Sequence, residues 1–209
     1  MRTRGVALDF DGVVVESVGI KDAAFGEIFS HYPEWPQILE YHLAHNATLR
    51  FEKFRHIYVS ILGREYSADI ESTLTARFSE LVCEAIVRCP AVPGATRLLA
   101  ELGGKLPVFL VSKSPDDELA HILLERHLAQ YFDRVYAGSW NKPEALMDIC
   151  GQLATEPSQL VFVGDTYEDA MAAEQAGVRF IGRNSGKSFR GLEVTVVKNL
   201  HDVLEIVKS

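Results

Sequence analysis

Acidic, hydroxyl and amine side chains stand immediately after short apolar segments in this sequence. The first segment ends in the run DFDG, a later one ends in SK, and another ends in GD. Ionised carboxylates that meet in one place repel each other by about 4 kcal/mol per pair at about 4 Å and intermediate polarity. Such a group needs a cation, and a nearby amine and hydroxyl suit an anionic ligand. The residues concerned are Asp9, Asp11, Ser112, Lys142, Asp165 and Asp169.

The candidate metal ligands offer oxygen atoms only. Without a histidine or cysteine beside them, they favour Mg²⁺, a hard cation that binds a few carboxylates, water and phosphate oxygens. The hydroxyl of Ser112 and the charge of Lys142 are candidates for holding phosphate, with Gly12 and Lys113 beside them. Helices that begin after Ser112 and Lys142 would add free backbone N–H groups. The pattern predicts magnesium and phosphate in one site.

Two aspartates beside one phosphate can divide the chemistry of its transfer. One carboxylate can attack phosphorus and form an aspartyl-phosphate. A second can give a proton to the leaving oxygen and then take one from water. Because side chains alternate along a strand, Asp9 and Asp11 are expected on the same side of it. We therefore expect a nucleophile and an acid/base in this segment.

The apolar segments alternate with helical patterns along most of the chain. Short, near-continuous apolar runs are typical of strands in a parallel sheet that is covered on both faces. Right-handed crossovers bring the carboxyl ends of such strands to one edge, where ligands bind. The expected fold is α/β, with a Rossmann-like parallel sheet as its core. The predicted strands cover residues 5–10, 106–112, 134–139, 159–165, 178–183 and 193–197.

Residues 17–88 interrupt this alternation. They contain four helical patterns and no strand pattern, and prolines, Asn46 and Gly63 separate the helices. We interpret this segment as an inserted all-helical domain, with residues 1–16 and 89–209 forming the core domain. The predicted helices lie near residues 18–31, 36–45, 49–62 and 67–88.

Composition and charge narrow the possible partners. The 209 residues are 47% hydrophobic and carry a formal charge of -8, which allows a sizeable core and disfavours a general binder of nucleic acid or anionic membranes. No apolar run approaches the roughly 18 residues of a membrane span, and no secretory leader pattern is present. The three cysteines lack metal-binding spacing. We expect a cytoplasmic monomer or homodimer without nucleic-acid or membrane partners.

The charged motifs, taken in their order along the chain, resemble those of the haloacid dehalogenase superfamily of phosphatases. Each motif alone is weak, but four in the right order, each at a strand end or the following helix start, are specific. The resemblance extends over nearly the whole chain. The motifs are DFDGV at 9–13, the strand ending in Ser112, Lys142, and GDTYED at 164–169.

The resemblance implies a role for each aspartate. Asp9 would be the nucleophile, and Asp11 would be the general acid/base. The backbone carbonyl of Asp11 would also bind Mg²⁺. Asp165 would complete the metal site, with Asp169 as a direct or water-mediated ligand.

The inserted helices resemble the α-helical (C1) cap of relatives of phosphoglycolate phosphatase and β-phosphoglucomutase. Such a cap closes over the active site, excludes water and selects the substrate. The resemblance implies a phosphatase of a small phosphorylated metabolite, either a sugar phosphate or a compound like phosphoglycolate. The candidate substrate-reading residues of the cap are Lys21, Arg50 and Lys53.

Two other functions are compatible with these motifs. A phosphomutase like β-phosphoglucomutase would return the phosphoryl group to a reoriented sugar, but those mutases resemble this chain less closely where Lys21 replaces their cap histidine. A catalytically silent binding or regulatory protein would keep only the fold. The intact set of charged residues disfavours it, because an idle site could lose its mutually repelling groups.

Two further patterns are assigned no chemistry. His42 and His45 have a spacing that suits a metal on a helix, but no third ligand accompanies them, so a surface role is expected. The run GRNSGKS at 182–188 follows a strand and resembles a phosphate loop, but three residues rather than four separate its glycines. We interpret it as a flexible loop.

Overall fold

The computed structural model describes residues 2–45 and 48–208 of the chain. Six strands form one sheet in the order β3-β2-β1-β4-β5-β6, and each neighbouring pair is parallel. The prediction of an α/β fold with a parallel sheet is confirmed. The strands are β1 Gly5–Leu8, β2 Val108–Val111, β3 Arg134–Tyr136, β4 Leu160–Gly164, β5 Arg179–Arg183 and β6 Thr195–Val197.

The chain divides into two compact units, a core unit of Met1–Val18 with Cys89–Ser209 and a helical unit of Gly19–Arg88. The helical unit thus begins at Gly19, two residues after the predicted boundary at residue 17. A π-helical turn, Ile57–Ile61, extends the third helix. Asn46, which the sequence places between two helices, lies outside the described residues. The helices of this unit are α1 Ile20–Phe29, α2 Trp35–Ala44, α3 Arg50–His56 and α4 Ala68–Arg88.

Aromatic side chains fill the interior of the helical unit. Phe25 of α1 lies 5.4 Å from Phe54 of α3 and 5.2 Å from Phe78 of α4, measured between ring centroids. All three are buried. Because buried aromatic rings remove a large apolar area from water and add ring-ring attraction, they hold the helices of this unit together.

The helices of the core unit pack on a sheet whose central strands are fully buried. The burial of every residue in β1, β2 and β4 agrees with coverage on both faces. No helix within residues 2–45 and 48–208 is long and apolar enough to cross a lipid bilayer. The helices of this unit are α5 Ala95–Leu102, α6 Asp116–Glu125, α7 Lys142–Leu153, α8 Tyr167–Ala176 and α9 Leu200–Lys208.

The carboxyl ends of β1 and β4 lie side by side. Leu8 is in register with Val163, and the ladder continues one residue further because the Asp9 N–H donates to the Val163 carbonyl at 2.9 Å. The strand ends there, so side-chain alternation does not extend to Asp11, and that part of the sequence argument is wrong. Asp11 instead lies in a turn that the Gly12 N–H closes by donating to Val15 at 2.9 Å.

Candidate active site

Three buried carboxylates meet beyond the ends of β1 and β4. Asp9 follows β1, Asp165 follows β4, and Asp169 lies in the first turn of α8. Each offers an oxygen within 4.8 Å of the other two. This is the edge of the sheet where the sequence predicts that they meet.

The ammonium of Lys142 joins two of these carboxylates. Its Nζ lies 3.0 Å from Asp9 Oδ2 and 2.6 Å from Asp169 Oδ1. Lys142 is the first residue of α7, and Asn141 caps this helix by accepting the Glu144 N–H at 2.8 Å. Burial lowers the pKa of Lys142, but the two carboxylates outweigh burial and hold this pKa above its usual value. Lys142 therefore stays charged in the folded protein.

Asp169 is fully engaged by donors of the protein. Its Oδ1 accepts from Lys142, and its Oδ2 accepts from the N–H groups of Asp165 and Thr166 and from the Thr166 hydroxyl. The Asp169 N–H donates back to Thr166, which completes a capping box at the start of α8. Gly164 must lack a side chain because a Cβ there would lie 2.4 Å from the Asp169 Cβ. Asp169 thus positions both Lys142 and the loop that carries Asp165.

Asp9 is a buried carboxylate with more negative than positive charge around it. Burial raises its pKa to about 7, Lys142 opposes this rise, and Asp169 leads the neighbouring carboxylates that add to it. The Asp9 Oδ1 accepts the Phe10 N–H at 2.8 Å, so both of its oxygens are oriented. A cation bound beside these carboxylates would favour the charged form of Asp9 and thereby its nucleophilicity.

Asp165 gives the clearest indication that these carboxylates can hold a cation. It is 1% exposed, and its Oδ1 has no hydrogen-bond partner among the described residues. A buried carboxylate oxygen without a partner carries a large desolvation cost. Gly12 leaves room beside it, since its φ is +72° and a Cβ would lie 2.3 Å from Asp165 Oδ2. The oxygen donors and this open position fit a hard divalent cation.

Asp11 has partners different from those of Asp9. Its Oδ1 accepts from the Ser17 hydroxyl at 2.6 Å, and its Oδ2 accepts from the Ser114 hydroxyl at 3.3 Å. Two donors from different parts of the chain fix the direction of this carboxylate. Ser17 and Ser114 are buried, and the sequence analysis missed both.

The predicted phosphate-binding residues have different surroundings. Ser112 is buried at the end of β2, where its Oγ accepts the Ser114 N–H at 3.2 Å and its hydroxyl hydrogen has no acceptor within the described chain. Lys113 is exposed and makes no ion pair with another described residue. The Gly12 N–H is already used in its turn, so the requirement at residue 12 is positive φ and closeness to Asp165.

Arg183, at the end of β5, anchors the turn that follows β1. Its Nη1 donates to the Gly12 carbonyl at 3.1 Å and to Glu16 Oε2 at 2.9 Å, while its Nη2 donates to Glu16 Oε1. A bidentate arginine-carboxylate pair is geometrically specific. It fixes the segment between Asp11 and the start of the helical unit.

The predicted strand over residues 178–183 agrees with β5, and residues 184–188 form a loop after it. The sequence assigned this loop no chemistry, but its Lys187 Nζ lies 2.9 Å from Asp165 Oδ2. The signal was present in the sequence, because β5 is one more parallel strand and its carboxyl end lies at the same edge of the sheet.

The three candidate cap residues differ in their surroundings. Lys21 is exposed near the start of α1. Arg50 donates to the Ser79 hydroxyl at 2.9 Å and lies over the Phe78 ring. Lys53 is 4% exposed, and its Nζ lies 3.2 Å from His42 Nδ1. Lys53 is thus a buried charge within the helical unit.

His42 is buried, which corrects its expected surface position. Its Nε2 lies 2.8 Å from Asp22 Oδ1, and its ring stacks on Phe25 at 3.9 Å. Lysine can only donate, so His42 Nδ1 accepts from Lys53 and Nε2 carries the hydrogen toward Asp22. Burial, and then the charge of Lys53, lower the pKa of His42 below 6.5, although Asp22 opposes them.

The contribution of His42 to the free energy of unfolding is expected to fall as pH drops below about 6.5, against the opposite contribution of Asp9, whose raised pKa favours the folded state at low pH. The unfolded chain, in which His42 has its ordinary pKa, then binds a proton that the folded protein does not bind. The loss is at most about 1.4 kcal/mol per pH unit, the limit for one proton. Urea unfolding at pH 7.5 and 5.5 measures it for the parent, His42→Gln and the exposed-histidine control His45→Gln. An equal pH dependence in the parent and His42→Gln would contradict this assignment.

Comparison with known proteins places this chain in a family. Residues 3–177 match the family model of the haloacid dehalogenase-like hydrolases. The chain is 26% identical over 196 residues to the phosphoglycolate phosphatase of Yersinia pseudotuberculosis, covering 89% of this chain and 83% of that protein. It is 27% identical over 215 residues to phosphoglycolate phosphatase 1 of Pseudomonas aeruginosa, covering 96% and 78%.

Solved structures show the same fold along the chain. The candidate HAD-hydrolase YfnB of Bacillus subtilis, solved with bound magnesium, has a TM-score of 0.75 at 14% identity, with 100% of both chains covered. A candidate β-phosphoglucomutase of Thermotoga maritima has a TM-score of 0.74 at 18% identity, covering 100% of this chain and 99% of that one. The family predicted from the motifs is confirmed, and the chain belongs to the haloacid dehalogenase-like hydrolases.

Proposed function

We propose that this hydrolase is a cytoplasmic, Mg²⁺-dependent phosphatase that releases phosphate from a small phosphorylated metabolite through an aspartyl-phosphate on Asp9. Its membership of the family and its phosphatase relatives support a phosphoric monoester hydrolase. The observation that carries the proposal is the pairing of an oriented, buried Asp9 with an Asp165 oxygen that lacks a partner in the described chain. The oriented carboxylate of Asp9 suits a nucleophile, and the Asp165 oxygen suits a cation ligand.

We propose that Asp9, Asp165 and the backbone carbonyl of Asp11 hold Mg²⁺, with Asp169 contributing directly or through water. When bound, the metal would neutralise charge on the transferring phosphoryl group. Asp169 already accepts four hydrogen bonds, which favours a contribution through water.

In the proposed reaction, one oxygen of Asp9 attacks phosphorus and the ester P–O bond breaks. Asp11, held by Ser17 and Ser114, gives its proton to the leaving oxygen. Asp11 then takes a proton from water, whose oxygen attacks phosphorus and breaks the P–O bond to Asp9. Lys142 holds Asp9 in position, and the Ser112 hydroxyl, which has a hydrogen to donate, binds a phosphate oxygen.

We propose that the substrate is a sugar phosphate or a compound like phosphoglycolate. The enzyme would act as a monomer or homodimer, without a nucleic-acid or membrane partner. Two curated relatives named phosphoglycolate phosphatase support this choice. We propose that the helical unit selects the substrate, with Lys21, Arg50 and Lys53 as candidates. Gly12 and Lys113 remain proposed phosphate-binding residues, although the Gly12 N–H is used in its turn and Lys113 is exposed.

The test is phosphate release from a panel of phosphoglycolate and sugar phosphates, with Mg²⁺ or with EDTA. We expect turnover of at least one substrate and a loss of at least about 100-fold in EDTA, because a catalytic metal supplies several kcal/mol of transition-state stabilisation. Added Mg²⁺ should restore the rate. Isomerised sugar phosphate without free phosphate would indicate a mutase, and metal binding without turnover across the panel would indicate a silent binding protein.

A further inference from the structure

We propose that Lys187 is the resident counter-ion of Asp165 and sets the affinity of the site for a divalent cation. Its ammonium neutralises Asp165 when the cation is absent, and it moves away when the cation binds. This inference rests on the cation site of the proposed function, but it does not depend on phosphatase turnover.

The distribution of charge singles out Lys187. Lys142 already serves Asp9 and Asp169, so Lys187 is the ammonium that remains for Asp165 among the described contacts. Asp165 is almost fully buried, whereas the Lys187 side chain is 44% exposed. An exposed lysine can leave its ion pair and be hydrated by water at low cost. A buried carboxylate that loses its ion-pair partner needs another cation in its place.

The loop that carries Lys187 is anchored at both ends. The Asn184 N–H donates to the Val197 carbonyl of β6 at 2.8 Å. Phe189 packs on Phe180 at 5.8 Å and lies against Gly182, where a Cβ would lie 2.8 Å from the ring. Between these anchors, Gly186 has a φ of +96°. The anchors hold Lys187 near Asp165, while its long side chain is free to swing into solvent.

Lys187 and a divalent cation compete for one carboxylate. The ammonium lies on Asp165 Oδ2, next to the oxygen that has no partner in the described chain. A cation that binds both oxygens must displace Lys187, and one that binds Oδ1 alone lies close to a like charge. In either case the two cations weaken each other's binding by the same factor.

The decisive variant is Lys187→Met, which keeps the apolar stem and removes the charge. We expect it to bind Mg²⁺ about tenfold more tightly than the parent, within the usual range of coupling between two sites. Isothermal titration with Mg²⁺, and with Mn²⁺ as a second probe, measures this. Lys187→Arg should stay within about threefold of the parent, and Lys198→Met, an exposed lysine in the same unit, should leave the affinity unchanged.

Equal or weaker Mg²⁺ binding by Lys187→Met would overturn the proposal, as would an equal gain in Lys198→Met or an absence of Mg²⁺ binding by the parent. Chemical labelling of the unmutated protein decides the question if the variant does not fold. The reactivity of the Lys187 amine toward an amine-acetylating reagent, read by peptide mass spectrometry, should rise when Mg²⁺ is added, and unchanged reactivity at saturating Mg²⁺ would reject displacement. If the tighter Mg²⁺ binding of Lys187→Met is found but no substrate is turned over, this inference stands and the phosphatase is rejected. If substrate is turned over but Lys187→Met binds Mg²⁺ like the parent, the phosphatase stands and this inference is rejected.

Discussion

Asp9→Asn is expected to lower the rate of phosphate release by roughly 10⁴-fold or more, the size of loss seen when a catalytic nucleophile is removed. The amide is a poor nucleophile and cannot form the aspartyl-phosphate, while its similar shape retains the surrounding fold. Asp9 lies where attack is possible, since one oxygen is held by Lys142 and the other by the Phe10 N–H. The measurement is steady-state phosphate release with saturating Mg²⁺ and the best substrate of the panel.

The matched control is Asp202→Asn, which changes the same chemical group on the exposed surface of α9 and should keep the parent rate. A second readout comes from mixing the protein with ³²P-labelled substrate and denaturing it during turnover. The denatured parent should carry protein-bound label that is stable to acid and labile to base, as an aspartyl-phosphate is, and Asp9→Asn should carry none. Retention of turnover by Asp9→Asn would show that another group attacks phosphorus. Loss of turnover with label still trapped would place the covalent bond elsewhere.

The parts of the site that follow parallel strands were predictable from sequence. Asp9 and Asp165 each follow an apolar run, and such strands must end at one edge of a parallel sheet. Lys142 was predictable because a charged residue at the start of a helix at this edge faces the same ligand. For these residues the local pattern and the topology of the sheet are sufficient.

The remaining parts depend on contacts that no local pattern records. Ser114 reaches Asp11 across 103 positions of sequence, and Arg183 reaches Glu16 across 167. Such pairs need the packed structure to be recognised. The contact of Lys187 was missed because the glycine spacing of its loop was compared with a phosphate-binding motif, whereas its place after β5 was the informative feature. His42 was misread because a helical histidine can be buried when a lysine and a carboxylate supply its partners.

Lys142→Met is expected to lower the free energy of unfolding by about 3–5 kcal/mol, the usual cost of removing one partner from a buried ion pair. Methionine keeps the length and apolar stem of the side chain, so the change removes mainly the charge. Asp9 and Asp169 would then repel each other without the ammonium between them, which lies 3.0 Å from Asp9 Oδ2 and 2.6 Å from Asp169 Oδ1 in the parent. Urea unfolding of the parent and the variant in EDTA at pH 7.5 measures the loss.

A surface ion pair provides the comparison. Lys208 pairs with Glu101 on the exposed face of the core unit, and Lys208→Met should lower the free energy of unfolding far less than Lys142→Met, because water screens exposed pairs. Mg²⁺ should recover part of the loss in Lys142→Met, because a bound cation replaces some of the missing positive charge. Equal losses in the two variants would mean that burial of the Lys142 pair has no special effect. Full turnover by Lys142→Met would show that the position of Asp9 does not depend on this ammonium.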